Sequence, residues 1–194
     1  VGSNRYKVTV RTQGGHSFGN FGNDNAIEKL AGIIEKLYQI KVPEGGKTTY
    51  NVGTISGGTP VNTIAQEASM LYEFRSDRKV NLAYMEEKFE AAVNEAKAAG
   101  LDITYEILGI RPCSGDVDKE RQARLLERAK AAVETVTGIC PGVGSGSTDC
   151  NIPLSMGIPS VCVGCYSGAG AHTREEYVEE ASLPLGYRVA FEMI

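Results

Sequence analysis

The two histidines of this 194-residue chain are the side chains best placed for catalysis or metal binding. His16 follows Gly14-Gly15, and His172 follows Gly168-Ala169-Gly170-Ala171. A neutral imidazole serves as a metal ligand, a proton acceptor or a donor to developing negative charge. Glycine-flanked loops at strand ends are where such groups usually work; a solvated loop histidine is the plain alternative. Three more polar residues sit in comparable positions. Asn62, in Gly57-Gly58-Thr59-Pro60-Val61-Asn62, suits a hydrogen bond to substrate or simply a turn. Arg75 closes an alternating strand, and its planar fork suits a carboxylate, though a strand-edge charge is the simpler reading. Gly146-Ser147-Thr148-Asp149 offers hydroxyls and amides near a helix start, suited to an anion or to an N-cap.

Other chemistries find less support. Ser145 lacks the flanking glycines of a G-x-S-x-G elbow, which leaves a Ser145–Asp149–His172 hydrolase as an alternative. Neither glycine-rich loop is followed by the lysine of a phosphate-binding loop, and no H-E-x-x-H occurs. Five cysteines, at 113, 140, 150, 162 and 165, are odd in number and irregular in spacing, so reduced, mostly buried thiols are expected. Cys162-x-x-Cys165 has no second pair to complete a zinc knuckle.

The elements that position these residues read clearly along residues 5–110. Alternation over 5–12 predicts a strand facing inward with Tyr6, Val8 and Val10. Residues 14–17 read as a loop. Helical spacing of Ile27, Leu30, Ile33, Ile34, Leu37 and Tyr38 predicts a helix to about Ile40, capped by Asp24. Strands follow at 48–56 and 67–76, then a helix at 82–99 closed by Gly100, then a strand at 101–110. This β-α-β-β-α-β order predicts a ferredoxin-like four-stranded antiparallel sheet with both helices on one face, occupying residues 1–111. Residues 112–194 change to α/β character: a charged helix at 118–137, a buried strand over Pro159–Gly164, and a terminal helix from about Leu183. So few strands leave a parallel sheet uncovered, so 112–194 reads as part of a domain.

Composition bounds the partners. A hydrophobic fraction of 42%, a charged fraction of 23% and a net charge of −4 are ordinary for a globular chain and point to neither nucleic acid nor an anionic membrane. No apolar run approaches the roughly 18 residues of a membrane span, and Val1–Arg5 lacks signal-peptide order, so a cytoplasmic location is expected.

Taken in order, Gly14-Gly15-His16-Ser17, Gly57–Ile64, Phe74-Arg75-Ser76-Asp77, Gly146–Asp149 and Gly168–Glu176 resemble the zinc aminoacylase/carboxypeptidase family. That family includes peptidase T, succinyl-diaminopimelate desuccinylase and glutamate carboxypeptidases. The resemblance implies a lid and dimerisation domain followed by part of an α/β catalytic domain. It implies two zinc ions that activate water for hydrolysis of a peptide or N-acyl amino acid. By the same resemblance His172 is a zinc ligand, and His16 is a lid histidine that stabilises the oxyanion in the partner subunit's site. Asn62, Arg75 and Thr148 contact substrate, Arg75 through a carboxylate, although Ser147 replaces a family glycine beside Thr148. Homodimerisation through the lid is implied as well. The family's His-x-Asp, bridging Asp and Glu-Glu pair are not among these residues. The chain alone is therefore expected to be inactive and to hold zinc weakly or not at all. A non-catalytic ferredoxin-like dimerisation or binding module is the alternative.

Overall fold

Alternation in the first strand sets the architecture. In the computed structural model, which describes residues 1–194, β1 spans Gly2–Arg11 and turns Tyr6, Val8 and Val10 inward while Arg5 and Arg11 face solvent. The chain separates into two units, Val1–Ser114 and Gly115–Ile194.

In the first unit β1 is followed by β2 (Gly15–His16), α1 (Ala26–Tyr38), β3 (Thr48–Gly57), β4 (Thr63–Ile64), β5 (Glu67–Ser76), α2 (Lys79–Ala98) and β6 (Asp102–Arg111). The long strands form an antiparallel sheet in the order β3-β5-β1-β6. That order, with α1 and α2 packed on one face, is the ferredoxin-like arrangement the sequence predicts. Leu30, Ile33 and Leu37 of α1 and Met85, Phe89 and Val93 of α2 meet Tyr6, Val8, Met70, Tyr72, Phe74 and Ile103 of the sheet in one core. The Phe89 ring stacks 4.3 Å from Tyr6 and 5.6 Å from Tyr72. Each fully buried side chain of this size contributes about 1.5–3 kcal/mol. An exposed pair such as Arg11–Glu67 contributes about 1 kcal/mol or less, so the core decides the fold. Both edge strands carry a register shift, at Gly53 in β3 and Leu108 in β6, which blunts edge-to-edge pairing.

Two expectations for this unit are corrected. Asn25, not Asp24, caps α1: its backbone is extended and its side chain accepts the Ile27 amide at 2.9 Å. Asp24 instead pairs with Lys29 at 3.0 Å. The segment read as a loop at 14–17 contains β2, which pairs with β4.

The second unit contains α3 (Lys119–Thr137), α4 (Asn151–Ser155), the short hairpin β7 (Gly168–Ala169) and β8 (Tyr177–Val178), and α5 (Leu183–Glu192). Asp118 caps α3 by accepting the Arg121 amide at 2.9 Å, and Gly138 ends it at φ 71°. Pro159–Gly164 is not the doubly buried strand expected: it is irregular and half-buried to exposed. Strand structure needs a hydrogen-bonded neighbour, and no strand of this unit lies alongside it. The Gln122 side-chain amide substitutes for one, accepting the Ser160 N–H at 2.9 Å and donating to the Ser160 carbonyl at 3.0 Å. The thiols are not mostly buried either. Cys113 is buried and Cys150 half-buried, whereas Cys140, Cys162 and Cys165 are exposed. No helix is long and apolar enough to cross a membrane.

Candidate functional site

β2 and β4 bring two of the candidate residues together. His16 stands opposite Thr63 in this small ladder, and the Ser17 amide donates to the Asn62 carbonyl at 2.9 Å. Both His16 and Asn62 are exposed. They share the end of the main sheet at which Arg11 pairs with Glu67. The turn leading in depends on glycine. Gly14 sits at φ 65° and Gly15 at φ 140°, and any side chain on Gly15 would run into Asn20.

The His16 ring is held by backbone. Its Nδ1 accepts the Phe18 and Gly19 amides, each at 3.3 Å. Asn20 bonds residue 16 in both directions: its Oδ1 accepts the His16 amide at 2.9 Å, and its own amide donates to the His16 carbonyl at 2.8 Å. Sequence reading had no means of finding Asn20, because a Gly-Asn turn carries no periodic signal.

Arg75 lies at the other end of the sheet, where it pairs with Ser3 and Ser3 pairs with Arg111. Its guanidinium is engaged: Nε and Nη2 donate to the two carboxylate oxygens of Glu73 at 2.9 and 3.0 Å. Arg5 donates to the same carboxylate at 3.2 Å. Burial pushes the Glu73 carboxyl up, but Arg75 and Arg5 outweigh it and hold it below its ordinary value. Two guanidiniums thus share one carboxylate on the solvent face. The signal was present in the sequence, since Glu73 and Arg75 are two apart on one strand and share a face.

In the second unit, Thr148 is built into a turn. Its hydroxyl accepts the Cys150 amide at 3.3 Å, and its amide donates to Asn151 Oδ1 at 2.9 Å. The N-cap reading of this segment therefore describes its local geometry, and α4 is too short for a helix-dipole anion site. His172 sits in the β7–β8 turn and is the one non-glycine residue with positive φ, at 67°. Its amide donates to the Glu176 carboxylate at 3.2 Å. Left-handed backbone costs a non-glycine residue about 1 kcal/mol or more, and histidine is among the residue types that adopt it most often. Of two open clefts, one is lined by Val163, Cys165, Val189, Ala190, Met193 and Ile194, and the other includes Arg11, Asp24 and Asp102. Neither includes any of the five candidate residues.

Residues 1–100 match the family model of the peptidase dimerisation domain. The chain belongs to that family. Similarity to known proteins extends beyond this domain. A Mycobacterium tuberculosis protein named as a succinyl-diaminopimelate desuccinylase is 28% identical over 187 residues, 91% of this chain and 48% of its own length. The chain thus spans about half the length of the curated relatives it matches, at 48% here. A tripeptidase from Staphylococcus aureus superposes with a TM-score of 0.74 at 22% identity, covering 100% of this chain and 51% of that one. The aminopeptidase PepT of Bacillus cereus superposes with a TM-score of 0.67 at 24% identity, again covering 100% and 51%. These likenesses show the fold.

The donor set does not fit a zinc pair within these 194 residues. No group of three or more His, Cys, Asp or Glu side chains comes together to hold a metal ion. One imidazole supplies a small part of the coordination that two zinc ions need.

Proposed function

We propose that this chain is the dimerisation lid, residues 1–111, and the C-terminal portion of the catalytic domain, residues 112–194, of a zinc-dependent peptidase or amidohydrolase acting on a peptide or N-acyl amino acid. The observation that carries this reading is that exposed His16, in β2, and exposed Asn62, just before β4, are held next to each other by the Ser17–Asn62 backbone bond within the dimerisation-domain unit. His16 donates to the oxygen that gains charge when the scissile carbonyl is attacked, in the site of the partner subunit. Asn62 hydrogen-bonds the same substrate. Arg75 grips a substrate carboxylate through guanidinium N–H groups other than those given to Glu73, Thr148 contacts bound substrate, and His172 is one zinc ligand.

The second unit supports the partial-domain reading. Its buried hydrophobic side chains are Ala129, Ala132 and Val189, while Ile139, Met156, Tyr187 and Phe191 are each more than half exposed. So much apolar surface is unusual for a finished core and suits a surface covered by further chain.

Zinc content and hydrolysis of a panel of dipeptides, tripeptides and N-acyl amino acids test the reading. The full-length protein carrying this chain is expected to bind zinc and to turn over one class, and His172→Ala is expected to lose both. The 194-residue polypeptide alone is expected to do neither; turnover by it would end the proposal. The dimerisation-domain match favours one other reading, a dimerisation or binding module with no catalysis. A full-length protein that dimerises yet neither binds zinc nor turns over substrate would establish that reading instead.

A further inference from the structure

Far more of the chain is committed to His16 than an exposed loop residue requires. Residues 16 and 20 are tied amide to carbonyl and amide to side chain. Asn23 braces the turn from behind: its amide donates to the Asn20 carbonyl at 3.1 Å, and its side chain donates to the Gly14 carbonyl at 2.7 Å. Burial contributes little here, since Phe18 and Phe21 are 90% and 91% exposed. Hydrogen bonds and the glycine backbone, rather than burial, give this turn its shape.

The shape fixes a chemical property. Nδ1 of His16 faces two amide donors, Phe18 and Gly19, so it must accept. A neutral ring that accepts at Nδ1 carries its proton on Nε2, at the outward tip. We propose that residues Phe18–Asn20 form a clamp that presents His16 as an Nε2–H donor, with Asn20 as its positioning residue. The catalytic consequence rests on the reading of His16 as the donor to the scissile carbonyl; the tautomer does not. Asn20 acts on residue 16 as an acceptor through Oδ1 and as a donor through its backbone. Asp keeps both functions, and Ala loses the first.

The chain has only two histidines, so imidazole nitrogen NMR of the whole polypeptide reads each ring separately. At a pH where the rings are neutral, His16 is expected in the Nε2–H form, with no detectable Nδ1–H signal. Asn20→Ala is expected to introduce the second tautomer, Asn20→Asp to remove it again, and His172 to stay constant throughout. In the full-length enzyme Asn20→Ala is expected to lower kcat about tenfold with KM little changed, less than the hundredfold or more expected of losing an oxyanion donor. Asn20→Asp should restore it. A wild-type His16 that populates Nδ1–H overturns the clamp without recourse to any variant. So does an Asn20→Ala ring that is indistinguishable from wild type. Tautomer changes as expected, with kcat unmoved in both Asn20→Ala and His16→Ala, would uphold the clamp and remove His16 from the proposed mechanism.

Discussion

His16 and Arg75 of one protomer are too far apart to serve one substrate, and this separation leads to a decisive experiment. Arg75 lies beside Ser3 in the sheet register, whereas His16 lies beyond the Arg11–Glu67 pair at the opposite end. Eight residues of β5 separate Arg75 from Glu67, which at about 3.3 Å per residue is roughly 26 Å. A fully extended tripeptide spans only about 10 Å. If both side chains assist one hydrolysis, they must come from different protomers. In the full-length enzyme, His16→Ala is expected to lower kcat by about a hundredfold or more. Arg75→Ala, which removes a charged hydrogen bond of about 1.5–3 kcal/mol, should raise KM roughly ten- to hundredfold. Co-expressed in equal amounts, the two variants pair at random, and half the dimers are mixed. Each mixed dimer has one site with neither defect and one with both. The mixture should therefore reach about a quarter of wild-type activity at subsaturating substrate, far above either parent. Steady-state rates on the mixture and on both parents decide the matter. A mixture no more active than the mean of its parents would show that the two residues do not meet across a dimer, and the assignment of at least one of them would fall.

Three further outcomes follow from the geometry. Tyr72 has a buried hydroxyl without a hydrogen-bond partner, and burial raises its pKa; Tyr72→Phe should be neutral or stabilising by up to about 1 kcal/mol in urea unfolding, and a clear loss would reveal a hidden partner. Glu73 titrates below its ordinary range when folded, so its contribution to stability is present above the unfolded carboxyl pKa and is lost as pH falls through the lowered one. Glu73→Gln should therefore lower Tm near pH 7 by more than near about pH 3, and a parallel offset at both would contradict the pairing with Arg75 and Arg5. Gly186 lies buried in α5 against the Cys165 carbonyl, where an added methyl would overlap the oxygen. Gly186→Ala should destabilise the second unit by about 1–3 kcal/mol, read as lost protection in hydrogen exchange confined to residues 115–194, and unchanged exchange would refute the close approach.

The first unit was legible because its local and global signals agree. Period-two alternation in β1 and β5 and period-3.6 spacing in α1 and α2 each specify one buried face, and one sheet with two helices satisfies all of them. Errors there were confined to the two-residue strand β2 and to the cap Asn25, where two adjacent cap-forming residues compete and only backbone geometry chooses between them. The candidate site residues could be read from the sequence as types but not as an arrangement. His16 and Asn62 meet only because two-residue strands pair, and two residues are too few to leave a pattern. The pairing of Arg75 with Glu73 was open to alternation within one strand, whereas Arg5 joins them only through the β1–β5 register that sets it opposite Glu73, which alternation does not fix.

Pro159–Gly164 failed for a different reason, and that reason bears on the second unit. Its apolar residues match the pattern of a strand covered on both faces, and residues 115–194 do not themselves supply that cover. Within the unit, Gln122 satisfies the backbone of Ser160, and the half-buried Val161 and Val163 gain little apolar cover. Elsewhere in the unit Tyr187 and Phe191 of α5 are also exposed, their rings 4.7 Å apart. On the proposed partial-domain reading, sequence and structure disagree here about burial because the apolar pattern belongs to a larger domain. On that argument, additional strands alongside Pro159–Gly164 would supply both the missing hydrogen bonds and the missing cover at once.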